Sequence, residues 1–120
     1  MVVAQATTST TAAALFEAHM QAELNGDLDA TMATMVEDPH LINLASGTGG
    51  QGAEGVREFY ATQLIGQFFP PDVEFISISR TVDGERLVDE LVIRFTHTKA
   101  IGHLLPGVAP TGRRVEMALV

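Results

Sequence analysis

Pro70-Pro71 divides this sequence into two stretches that cannot share a secondary structure. Proline lacks an amide donor and biases the residue before it away from helix, so no helix is expected to cross this point. Before it, apolar residues recur every three or four positions; after it, they alternate. Leu15, Phe16, His19, Met20 and Leu24 predict a helix from Thr11 that stops at Asn25-Gly26. Asp27 can cap a second helix, in which Leu28, Thr31, Met32, Met35 and Val36 share one face until Pro39 ends it. His40 to Ser46 reads as a short strand and Gly47 to Gly52 as a flexible mouth loop. A third helix starts near Ala53, with Val56, Phe59, Tyr60, Leu64 and Phe68 along one side. Beyond the prolines, Val73 to Val82 and Leu87 to Lys99 read as strands joined by an Asp83-Gly84 turn, and Arg113 to Val120 as a third strand after a loop rich in glycine and proline. Helices first and a meander second predict one α+β domain over residues 12–120, with a frayed tail over residues 1–11 and the helices on one face of a curved antiparallel sheet.

Composition removes several functional classes. With 120 residues and 46% apolar content, one self-sufficient core is expected, and a chain this size buries roughly two-thirds of its unfolded surface. No cysteine is present, which excludes disulfides, thiolate metal sites and a cysteine nucleophile. A formal charge of −8 disfavours nucleic acid and anionic membrane surfaces as partners. The first eleven residues carry no basic start of a targeting signal, and no apolar run approaches the ~18 residues of a spanning helix, so a cytoplasmic location is expected. Histidines at 19, 40, 97 and 103 lack any paired-ligand spacing, so no metal site is expected. The glycines at 47, 49, 50 and 52 lack the lysine and strand-turn-helix context of a phosphate cradle. No cofactor is therefore expected. The apolar run Val115 to Val120 would leave an unpaired sheet edge, so that strand either pairs with another chain or belongs to a longer parent sequence.

Seven short segments carry a resemblance. Asn25-Gly26-Asp27-Leu28-Asp29-Ala30, then Val36-Glu37-Asp38-Pro39, then Gly55-Val56-Arg57-Glu58-Phe59-Tyr60 resemble the nuclear-transport-factor-2-like superfamily, with a spacing similar to ketosteroid isomerases and SnoaL-like polyketide cyclases. Arg80-Thr81-Val82, Phe95-Thr96-His97-Thr98, Leu105-Pro106-Gly107 and Pro110-Thr111-Gly112-Arg113 resemble a SnoaL-like subgroup that includes ester cyclases and domains attached to dienelactone hydrolases. The resemblance spans residues 12–120 and implies a cone: a curved antiparallel sheet with three helices from the N-terminal half packed on its concave face. It also implies a homodimer through the sheet, and a further strand and closing segment beyond Arg113 to Val120. Because this scaffold hosts isomerases, cyclases, hydrolases and non-enzymes, it implies no single reaction. Aligned on Asn25-Gly26-Asp27, the isomerase tyrosine falls at His19, its base carboxylate at Asn43, and its neutral acid beyond Val120. The classical ketosteroid isomerase mechanism is therefore not expected.

The candidate catalytic residues are accordingly His19, Asn43 and His97. His19 lies on the edge of an apolar helical stripe, and Asn43 and His40 point to opposite faces of their strand. On the long strand, Leu87, Asp89, Leu91, Ile93, Phe95, His97 and Lys99 share one face, whose polar ends could carry displaced pKa values. Tyr60, Asp89 and Phe95 are the candidate ligand-contacting residues, although Tyr60 at helical spacing also fits a core role. Two functions are compatible with this pattern. One is a small-molecule-binding domain that performs cofactor-independent isomerisation, cyclisation, dehydration or hydrolysis on an apolar organic substrate. The other is a non-catalytic dimerising or accessory domain.

Overall fold

The computed structural model describes residues 11–65 and 69–120. The expected tail and Phe68 lie outside these. Helix α1 (Ala12–Leu24) begins where Thr11 Oγ1 accepts the Ala14 amide at 3.1 Å, and α2 (Leu28–Ala33) where Asp27 Oδ1 accepts the Ala30 amide at 2.9 Å. Both caps are the ones the sequence offers. Then come β1 (His40–Asn43), β2 (Thr48–Gln51), α3 (Gly52–Phe59), a single π-helical turn (Tyr60–Leu64), β3 (Glu74–Asp83), β4 (Arg86–Thr96) and β5 (Arg114–Leu119).

The sheets are antiparallel throughout: β1 pairs with β2, and β4 lies between β3 and β5. The expected glycine mouth loop is instead strand β2. Its glycines serve close approach rather than mobility. A Cβ on Gly49 would collide with the Leu41 carbonyl, and one on Gly50 with the Gly55 carbonyl, so only glycine lets this strand lie between β1 and the start of α3. The second helix also stops at Ala33, before Met35 and Val36.

Burial alternates along β4 as the sequence pattern requires, with Ile93 and Phe95 both at 0% exposure. The core forms two clusters. One joins Val56, Phe59, Tyr60 and Leu64 to Leu28, Met32, Met35 and Leu41 from the helices and hairpin. The other joins Ile93, Phe95 and Ile101 to Phe69, Val73, Leu104, Val115 and Met117 on the buried sheet face. Helix α1 crosses the far end of that face: Arg80 of β3 reaches Glu17 at 2.7 Å and lies over the Phe16 ring at 5.3 Å. No helix among the described residues is long and apolar enough to cross a membrane.

Candidate functional site

His19, Glu23, Tyr60 and Thr34 meet between α1, the end of α2 and the π-helical turn. His19 Nδ1 lies 2.7 Å from Thr34 Oγ1, and His19 Nε2 lies 2.8 Å from Glu23 Oε1 and 3.1 Å from the Tyr60 hydroxyl. That hydroxyl donates to Glu23 Oε1 at 3.1 Å. One helical turn separates His19 from Glu23, which puts both on the same strip of α1. The π-helical turn begins at Tyr60, and single π turns of this kind occur often at functional sites. Tyr60 is 2% exposed. Burial, then the adjacent Glu23 charge and its hydrogen bond, push the Tyr60 phenol well above the usual range, so it stays protonated.

A cavity of about 360 Å³ opens beside this cluster. Met35, Val36, Pro39, Leu41 and Val56 supply its apolar walls, His19 and Tyr60 its polar floor, and Asp38 and His40 further polar groups. Its size lies within the range of small-molecule sites.

Of the residues expected from the sequence, the structure brings His19 and Tyr60 together. The others lie elsewhere. Asn43 Nδ2 donates to Thr48 Oγ1 at 2.9 Å and to the His103 carbonyl at 3.4 Å. That same carbonyl also accepts Ser46 Oγ at 2.9 Å and Thr48 Oγ1 at 2.6 Å, so Asn43 belongs to a clamp tying the β1–β2 hairpin to the 101–105 loop. His97 is 1% exposed. Its Nδ1 accepts the Thr111 amide at 3.3 Å, and its ring sits against Phe95. Phe95 is a centre of the second core cluster and does not line this cavity. Asp89 binds Arg80 through both carboxylate oxygens, at 2.9 and 3.2 Å, and fastens β4 to β3 and, through Arg80, to α1. Arg80 holds the Asp89 carboxyl below its ordinary range. On the opposite face of β4, Glu90 accepts the Ser79 hydroxyl from β3 and Arg94 pairs with Glu116 of β5, an ordinary cross-strand charge set.

Three residues escaped the sequence reading. Glu23 was legible as the fourth residue after His19, a spacing that faces a carboxylate toward an imidazole. Thr34 had no local signal, because its partner is fifteen residues away. His103 is 4% exposed, its ring packs edge-on to Phe69, and burial pushes its pKa down against the opposing charge of Glu23. It adjoins the second core cluster through Phe69 and lies within electrostatic reach of Glu23.

Helices on the inner face of an antiparallel sheet, with a cavity beside their polar cluster, define a nuclear-transport-factor-2-like α+β domain. The chain matches the family model of the SnoaL-like domain over residues 16–120, and it belongs to that family. Neither a curated protein nor a solved structure matches it.

Proposed function

We propose that this SnoaL-like domain binds a small, largely apolar organic molecule in the cavity over His19 and Tyr60 and moves a proton on it without a cofactor. One observation carries the reading: an imidazole and a phenol, hydrogen-bonded to each other and each to the Glu23 carboxylate behind them, border a largely apolar cavity. Such a site desolvates a ligand while offering it one polar edge, the setting in which general acid–base groups work best. Isomerisation, cyclisation, dehydration and hydrolysis all need that proton transfer, and the apolar walls favour a neutral substrate. The acidic balance of the chain argues against a nucleic-acid partner and fits a cytoplasmic role.

A thermal-shift screen with small neutral carbonyl compounds and lactones tests this. Hits should stabilise the native protein and lose their effect in His19→Ala and Tyr60→Phe. Hits that persist in both variants would reject the site.

A second reading, a homodimer through the outer sheet face, has its own support. A bulge between Ser77 and Ser79 leaves Ile78 58% exposed, and Val88 on the neighbouring strand is 54% exposed. Sedimentation of the native protein and of Val88→Lys checks it: a dimer that the lysine splits supports this face as the interface, and a monomeric native protein refutes it.

A further inference from the structure

We propose that Thr34 is a positioning residue that locks His19 with one proton on Nδ1, so that a second proton is held between His19 Nε2 and Glu23. The inference deepens the functional reading above, and it follows from counting hydrogens. The Thr34 hydroxyl has one hydrogen, and it lies 2.7 Å from the Thr31 carbonyl, which can only accept. That hydrogen is therefore committed to Thr31. The 2.7 Å contact between Thr34 Oγ1 and His19 Nδ1 then requires the ring nitrogen to donate.

With Nδ1 protonated, a neutral imidazole would present a lone pair at Nε2. Nε2 faces Glu23 Oε1 at 2.8 Å and the Tyr60 oxygen at 3.1 Å. Tyr60 brings one hydrogen, and it goes to Glu23 at 3.1 Å. Without another hydrogen, the shortest contact of the three would set a nitrogen lone pair against a carboxylate oxygen. Such a contact between partly buried groups is repulsive. A proton between Nε2 and Oε1 removes the conflict and makes the cluster neutral instead of anionic. Whether it is drawn as imidazolium–carboxylate or imidazole–carboxylic acid, the pair holds it as a unit. His19 and Tyr60 both line the cavity, so this proton is available to a ligand that presents an acceptor oxygen. The ionisable groups facing His19 are Glu23 on its own helix, Tyr60 from the π-helical turn, and Asp38 and His40 across the cavity. Of these, only Glu23 and Tyr60 touch it.

Nitrogen-15 NMR of the imidazoles in the native protein reads both protons directly. The expected result at neutral pH is a His19 protonated on Nδ1 and, with Glu23 intact, also carrying hydrogen at Nε2. Thr34→Ser should leave this pattern unchanged, and the nearly isosteric Thr34→Val, which removes the acceptor facing Nδ1, should deplete the hydrogen on that nitrogen. Glu23→Gln, which keeps the shape but removes the carboxylate, should leave Nε2 without its hydrogen at neutral pH. A native His19 with a bare Nδ1, or a Thr34→Val spectrum matching the native one, would overturn the proposal. If Thr34→Val does not fold, the native spectrum and Glu23→Gln still decide it. A protein that shows both protons yet binds no ligand keeps this inference and loses the functional reading. A ligand-binding protein with a bare Nδ1 does the reverse.

Discussion

His19 and His97 are the same residue type, each placed at the polar edge of an apolar face, yet they sit in opposite surroundings. His19 contacts a hydroxyl, a carboxylate and a phenol and borders a cavity. His97 is sealed beside Phe95; its Nδ1 meets the hydroxyl and the backbone amide of Thr111, and its Nε2 has no hydrogen-bond partner among the described residues. The accepting Nδ1 places the hydrogen of a neutral ring on Nε2. A carboxylate lies within reach of the first imidazole, and none is among the described contacts of the second. Burial alone does not create a reactive histidine; a partner that gains or loses charge with it does. The two core clusters divide along the same line, one bordering the cavity and one closed over the sheet.

The largest effect should come from breaking the closed cluster. Phe95→Ala removes a fully buried ring and should cost about 3–5 kcal/mol in denaturant unfolding. Met35→Ala, in the partly buried wall of the cavity, should cost clearly less, because part of that surface already faces open space. Equal costs would mean that the two clusters are equally packed and the comparison fails.

A smaller, pH-dependent effect should trace to His103, which packs on Phe69 beside the closed cluster and feels the charge of Glu23. Its folded pKa is pushed below the ordinary 6.5 by burial, so the unfolded chain binds that proton more strongly. Its contribution to stability is fully present well above 6.5 and is lost as pH falls through that value toward the lower folded one. Thermal unfolding between pH 7.5 and 5 should therefore show acid loss that His103→Phe reduces. Glu23→Gln should deepen it, because the charge that opposes the shift is gone. A Glu23→Gln profile that matches the native one would uncouple the clusters.

The smallest effect should come from Asp89→Ala. The carboxylate holds Arg80 at a partly exposed ion pair, so the loss should be about 0.2–1 kcal/mol, with ligand response unchanged. A lost ligand response would bring Asp89 back into the site.

The sequence revealed most of the fold because its signals were local. Thr11 and Asp27 announce helix starts, Pro70-Pro71 forbids a continuous helix, and the alternation from Leu87 to His97 matches the buried face of β4. Gly49 and Gly50 misled because glycine marks both mobile loops and backbones that nearly touch, and only the approach of Leu41 and Gly55 tells the two apart. The site was less legible for a related reason. His19 and Glu23 are neighbours on one helix, but Tyr60 reaches them across 41 and 37 positions and Thr34 across 15, distances that no local pattern encodes. Asn43 and His97 carried polar chemistry on the expected faces, but Asn43 bonds Thr48 and the His103 carbonyl, and His97 bonds Thr111, all away from the cavity.

The cavity over His19 and Tyr60 is the proposed seat of the ligand. Chemical-shift mapping of the labelled native protein, titrated with a small neutral carbonyl compound, asks this directly. The account expects saturable shifts at His19, Tyr60, Met35, Leu41 and Val56, with Phe95 and His97 still. Shifts centred on Phe95 and His97, with His19 unmoved, would contradict it.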